Sequence, residues 1–164
     1  MAEINLSKFS ISAINETDWE VYKKIRLSAL LESPQAFATK YEDAKNRTAE
    51  SWKNQCNEMA QRTNAIAFIG YLNHLPISLC GLYRNKNQDA EWEIVQVWTD
   101  PFFRGKGISA EMFAHVINWS KHEHIEKLLA KVYADNNRAK KFYTKMGFRT
   151  TEITQSEELM YREL

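Results

Sequence analysis

Trp98-Thr99-Asp100-Pro101-Phe102-Phe103-Arg104-Gly105-Lys106-Gly107-Ile108-Ser109-Ala110 is the stretch on which the fold turns. It opens in a β-rich run, Glu91 to Thr99, and closes in a helical pattern from about Ile108 to Lys121, with Met112, Phe113, Val116 and Ile117 on one face. A basic, glycine-bearing link therefore joins a strand to a helix. A helix start presents unpaired amides and the positive end of a dipole, and both favour a phosphate. Gly105 and Gly107 let a ligand approach the backbone closely, and Arg104 and Lys106 add positive charge. Taken alone, the same residues also make an ordinary glycine turn with solvated basic side chains.

Working outward, the chain alternates between elements without repeats or low-complexity linkers. Phe9 to Ile14 alternates as a first strand, with Phe9 and Ile11 on one face. Thr17 and Glu20 have the spacing of a capping box for a helix that reaches about Leu31, with Tyr22, Ile25 and Ala29 on one face. Ser33-Pro34 ends it. A second helix is expected from about Thr48 to Gln61. Ala65 to Leu72 and Ile77 to Tyr83 flank Asn73-His74 as an antiparallel hairpin. Polar Asn85 to Asp89 turns the chain into the strand that starts at Glu91. After the glycine link come a strand from Lys127 to Ala134 and a short helix presenting Ala139, Phe142, Tyr143 and Met146 before Gly147 stops it. Two closing strands run from Phe148 to Ile153 and from Leu159 to Glu163. This order predicts an α+β fold, with a mixed, mostly antiparallel central sheet flanked by helices, in a single domain over residues 1–164.

Composition narrows the function classes. The 164 residues carry 22 basic and 21 acidic side chains, a net charge of +1, which gives no general attraction to nucleic acid or to an anionic membrane. A 44% hydrophobic content supports a packed core. Cys56 and Cys80 have no C-x-x-C spacing and the four histidines complete no ligand pattern, so no metal site is expected. The opening residues lack an apolar signal region and no run is long enough to span a bilayer, so the expectation is a soluble, cytoplasmic protein.

Three phosphate-loop readings compete for the glycine link. A Walker A loop fails, because the chain has no G-x-x-x-x-G-K-[ST]. A dinucleotide fingerprint matches formally at Gly105, Gly107 and Ala110, but it follows four expected strands and leaves too little chain for the remaining βαβ units. The third rests on two blocks together. Arg104-Phe103 aside, the first block reads Arg104, Gly105, Lys106, Gly107, Ile108, Ser109, and the second reads Asn136, Ala139, Phe142, Tyr143, Gly147, Phe148. The pair resembles the GNAT superfamily of acetyl-CoA-dependent N-acetyltransferases, whose signatures are [RQ]-x-x-G-x-[GA], met here by Arg104 and Gly107, and N-x-x-A-x-x-F-Y-x-x-x-G-F. Ser109 stands where the family has glycine or alanine; the departure leaves an amide for phosphate and adds a hydroxyl.

The resemblance implies a GNAT-like acyltransferase fold, acetyl-CoA as co-substrate without a metal, and roles for particular residues. Coenzyme contacts would fall to the backbone of Val97, Trp98 and Thr99, to Arg104, Gly105, Lys106, Gly107, Ile108, Ser109 and Ala110, and to Asn136 and Tyr143. Tyr143 corresponds to the tyrosine near the coenzyme sulfur, a general acid; it also fits a core aromatic on an apolar helix face. Asn136 also fits a plain helix N-cap. An amine attacks only when neutral, so a base is needed. Glu93 opens Glu93-Ile94-Val95, similar to the strand bearing the base glutamate in the histone-acetylating branch of the family; an ordered water or a merely solvated Glu93 stays open. Simple alternation would put Glu93, Val95, Val97 and Thr99 on one face. The acceptor site would lie between Arg26 and Phe37 and near Ile153 to Met160, where Arg26, Leu30, Pro34 and Phe37 echo an R-x-x-x-L…P-x-A-F pattern. Trp52, Trp92 and Trp98 fit either a pocket wall or the core. A small-molecule amine is the preferred acceptor, with a peptide amine as alternative and a homodimer left open. A non-catalytic coenzyme A-binding sensor is the rival of a different class.

Overall fold

A computed structural model describes residues 6–84 and 91–164. The chain runs through β1 (Phe9–Ala13), α1 (Trp19–Glu32), α2 (Tyr41–Lys45), α3 (Ala49–Gln61), β2 (Ala65–Leu72), β3 (Leu75–Arg84) and β4 (Trp92–Thr99). It continues through α4 (Ile108–His122), β5 (Lys127–Tyr133), α5 (Asn137–Lys145), β6 (Arg149–Ile153) and β7 (Glu157–Glu163). Among the described residues the seven strands form one sheet in the order β1-β2-β3-β4-β5-β7-β6. Every neighbouring pair is antiparallel except β4 and β5. The expected mixed α+β sheet is therefore what forms.

Both faces of the sheet are covered, which is why β2 and β3 read as continuous apolar runs. Ile66, Phe68, Cys80 and Leu82 pack with Met112, Phe113 and Val116 of α4 and with Tyr143 and Phe148. Their neighbours Ala67, Ile69 and Leu79 face the other way, against Tyr22, Ile25, Ala29, Trp52 and Cys56 of α1 and α3. The β2–β3 turn at Asn73-His74 has both φ values positive, at 49° and 67°, as a two-residue hairpin matching the strand twist requires. No helix among the described residues is long and apolar enough to cross a membrane.

Three local expectations are corrected. The capping box uses Asn15 and Asp18, not Thr17 and Glu20: a 3-10 turn over Glu16–Asp18 precedes α1, and the Asn15 amide donates to Asp18 Oδ2 at 2.7 Å. The five-residue α2 was not expected, being too short for a helical period to register. β4 begins at Trp92 instead of Glu91. The turn expected over Asn85 to Asp89 lies outside the described residues.

Candidate active site

β4 and β5 are paired only at Trp92 with Leu128, Glu93 with Leu129 and Ile94 with Ala130. β5 nevertheless stays paired with β7 as far as Tyr133. Beyond Ile94 the edge of β4 facing β5 has no ladder partner, and the two strands part. A cavity of about 730 Å³ opens there, within the size range of small-molecule sites. Val95, Gln96, Val97, Trp98 and Thr99 form one wall, with Lys131, Val132 and Tyr133 across from them.

A bulge interrupts β4 at this point. Leu79 of β3 pairs with Trp98 and Gly81 with Val95, so Gln96 and Val97 together oppose Cys80. Gln96 takes φ 58°, uncommon for a residue other than glycine. The Tyr22 hydroxyl donates to its Oε1 at 2.9 Å and holds it toward α1. Strict alternation is thereby broken. Ile94 and Val97 both face α4, whereas Trp98 faces α1, so Glu93, Val95, Val97 and Thr99 do not share one face.

The glycine link is built as a phosphate cradle would be. Asp100 Oδ1 accepts from the Phe102 amide at 2.9 Å and starts the turn at Pro101. Gly105 and Gly107 have φ of 75° and 85°, and a Cβ on either would meet nothing within 4 Å. That open space, together with the left-handed backbone, fits a pyrophosphate. Gly107 is the N-cap of α4, and the Glu111 amide is the one that closes on its carbonyl, at 3.0 Å. The amides of Ile108, Ser109 and Ala110 therefore have no intrahelical acceptor.

Two side chains of the link are otherwise engaged. Arg104 donates from Nη1 and Nη2 to Oε1 and Oε2 of Glu32 at 3.0 and 2.6 Å, and from Nε to the Thr99 carbonyl at 2.8 Å. Trp98 Nε1 donates to the same carboxylate at 3.0 Å, and the Ser33 hydroxyl also donates to it. These donors, Arg104 foremost, hold the Glu32 carboxyl down at about 2. The Arg104 charge is thus balanced within the protein, and the residue clamps the link to the end of α1. Ser109 Oγ lies 3.0 Å from Thr99 Oγ1, which lies 3.0 Å from Ser78 Oγ. Its extra hydroxyl ties α4 to β4 and is not spare for a phosphate.

Of the residues expected from sequence, the cavity wall brings together Glu93, Val97, Trp98, Thr99, Arg104, Ser109, Asn136 and Tyr143. Gly105, Lys106, Gly107 and Ala110 are exposed in the link and first turn beside it, and the Ile108 side chain is buried in the core. Tyr143 packs edge-on against Phe113 and Phe148 at 5.6 and 5.2 Å. Its hydroxyl makes no hydrogen bond to any described residue. Burial, with Cys80 and Glu93 nearby, pushes the phenol well above its usual 10 and keeps it protonated. Glu93 is ion-paired with Lys131 at 3.3 Å. Asn136 Oδ1 caps α5 by accepting from the Ala139 amide at 3.1 Å, which leaves its Nδ2 for any ligand. Of the three tryptophans, Trp98 lines the cavity, Trp52 is core and Trp92 packs on Trp119.

Of the two regions expected to shape an acceptor site, the first lines the cavity with Arg26, Ser33, Gln35 and Phe37, and the second does so with Glu157. Gln96, Lys131 and Arg138 also line the cavity and had not been singled out. Only Gln96 left a trace in the sequence, as a polar residue between the apolar Val95 and Val97 in mid-strand.

A family model described as the acetyltransferase (GNAT) family matches residues 26–148. Among curated proteins no sequence matches. Solved structures with the same fold include the PaiA N-acetyltransferase of Thermoplasma acidophilum in complex with coenzyme A, with TM-score 0.77 and 16% identity over 95% of this chain and 99% of that one. A GNAT-family acetyltransferase from Streptococcus pneumoniae gives TM-score 0.81 and 16% identity over 95% of this chain and 99% of the other. The yncA protein of Salmonella typhimurium, solved with its cofactor acetyl-CoA, gives 0.77 and 14% over 95% and 94%. The match runs from Arg26, midway along α1, through the parted strands and the glycine link to the end of the Asn136–Phe148 block, and the dinucleotide reading has no doubly wound parallel sheet to stand on. The chain belongs to the GNAT acetyltransferase family.

Proposed function

We propose that this acetyltransferase moves an acetyl group from acetyl-CoA to the primary amine of a small molecule, by direct attack with both substrates bound. The observation that carries the reading is the parting of β4 from β5, which leaves one cavity reached from α1 on one side and from the glycine link on the other. The amides of Ile108, Ser109 and Ala110 are suited to the pyrophosphate, with Lys106 as the charge left free of an ion pair to a described residue. The unpaired edge of β4 at Val97, Trp98 and Thr99 is suited to the pantetheine and the thioester oxygen. Acetyl-CoA supplies the activated acetyl group.

Glu93 takes a proton from the amine, directly or through a water, while Lys131 keeps its carboxylate oriented. Tyr143 donates a hydrogen bond to the sulfur as negative charge gathers there. A phenol held this far above its usual value does not surrender its proton fully to a thiolate, whose conjugate acid has a pKa of about 8.5. Tyr143 therefore acts as a neutral donor that stabilises the leaving group, a refinement of the general-acid expectation. A small acceptor is favoured because the cavity is concave and both carboxylates on its wall, Glu93 and Glu157, lie inside it, and the sequence has no strongly acidic run to dock a basic tail.

Calorimetry tests the coenzyme choice. The protein should bind acetyl-CoA with a Kd on the order of 1–100 μM and NAD not measurably. Gly107→Asn should weaken acetyl-CoA binding at least about tenfold, since asparagine tolerates the left-handed backbone and its side chain fills the open space. Preference for NAD, or unchanged affinity in the folded variant, would overturn the cradle.

A further inference from the structure

Arg26 is a buried cation with no hydrogen-bonding or ion-pair partner among the described residues. It lies on α1, one turn after Tyr22, with 7% of its surface exposed, and it lines the cavity. Its guanidinium sits 4.6 Å over the Phe37 ring. None of its nitrogens is hydrogen-bonded or ion-paired to a described residue, and Nη1 is sealed from solvent. The neighbouring guanidiniums differ. Arg47 donates to Ser51 Oγ, Gln55 Oε1 and the Ser51 carbonyl, and Arg104 is clamped by Glu32. The other orphaned buried donor among the described residues, Trp52 Nε1, is neutral and does not line the cavity.

Burial foremost works against the Arg26 cation; the neighbouring Tyr22 oxygen offsets part of this, and the like charge of Arg47 adds to it. Neither carboxylate on the wall comes within ion-pair distance of it, and Glu93 is already held by Lys131. An uncompensated buried charge is among the costlier features a core can hold. Retained at a cavity, a planar fork of donors is suited to a ligand anion. α1 covers the face of the sheet opposite α4, so this anion is not the pyrophosphate expected at the start of α4.

We propose that the acceptor is an amine that also carries a carboxylate, and that Arg26 receives this carboxylate at the α1 side of the cavity. The proposal rests on the acetyl-transfer reading above. It makes Arg26 a specificity-determining residue: the carboxylate replaces the missing counter-ion, while the amine is left free to reach Glu93.

The test uses the full chain, acetyl-CoA and matched amines: L-methionine against 3-(methylthio)propylamine, L-lysine against 1,5-diaminopentane, 4-aminobutyrate against propylamine, and O-phosphoethanolamine against ethylamine. Coenzyme A release should favour a carboxylated member over its partner by roughly 10- to 100-fold in kcat/KM, the range of one charge-assisted contact. Arg26→Gln should abolish that preference by raising KM with kcat nearly kept, and Arg26→Lys should restore part of it. Equal use of both members of every carboxylated pair, or preference for the phosphate alone, would overturn the proposal and leave acetyl transfer standing. Should no amine turn over, acetyl transfer to small amines fails, and Arg26 is read by melting instead. The three carboxylated amines, with coenzyme A present, should then raise the parent Tm and not that of Arg26→Gln; no rise in the parent refutes the carboxylate site. Arg26→Met should melt no lower than the parent; a large drop would make Arg26 structural.

Discussion

Tyr143→Phe separates chemistry from packing, because it deletes one hydroxyl and keeps the ring among Phe113, Phe142 and Phe148. No hydrogen bond to a described residue is lost with that hydroxyl, so stability should change by no more than about 0.5 kcal/mol. For a chain of this size that is a Tm shift of about 1–2 °C. A hydrogen bond to a developing thiolate contributes about 1.5–3 kcal/mol, so turnover should fall roughly 10- to 100-fold. The phenol is raised above 10 by burial, so it stays neutral beyond the range in which free tyrosine ionises. No alkaline limb assignable to Tyr143 should therefore appear in the parent profile below about pH 10. The assay is turnover at saturating acetyl-CoA across pH 6–10, beside melting curves of both proteins. Turnover in the Phe variant within about twofold of the parent, at an unchanged Tm, would refute the donor role and leave Tyr143 as a core aromatic.

Two further outcomes follow from the ion pairs. Glu93→Gln should leave acetyl-CoA affinity unchanged and lower turnover near pH 7 by about 10²-fold; an unaltered rate and pH profile would move the base to water. Glu32, held at about 2 against an ordinary 4.5, contributes stability that is fully present above about pH 4.5 and is lost as the pH falls toward 2. A third of its side chain is exposed, so the contribution is at most about 1 kcal/mol. Parent and Glu32→Gln should accordingly differ by about 2–4 °C in Tm at pH 6 and converge near pH 2, and a gap that persists in acid would show the clamp is not ionic.

What the sequence made legible was periodic or local. The helical faces of α1, α4 and α5 and the Asn73-His74 turn each declare themselves within a few residues, and the glycine link is recognisable because positive φ and a helix start leave marks in composition. What it hid depended on distant partners. Glu32 and Arg104 are 72 residues apart, and the clue was indirect: a carboxylate at the C-terminal end of α1 opposes the helix dipole and needs an external cation. The bulge at Gln96 escaped because alternation assumes one residue per partner, and the partner that breaks the count, Cys80, is on β3. Ser109 could be read only as a spare hydroxyl until Thr99 and Ser78 were brought beside it. Arg26 stood in a visible pattern, but its lack of a counter-ion is a property of the packed molecule alone.

Acetyl transfer itself is tested most directly by incubating the full chain with acetyl-CoA labelled in the acetyl group and the matched amines, then identifying the products by mass spectrometry. The account predicts label on the nitrogen of a small amine, formed in step with coenzyme A release and dependent on the protein. Coenzyme A release with the label recovered only as free acetate, or no release at all from a protein that binds acetyl-CoA, would contradict it and leave a coenzyme-binding domain without transfer.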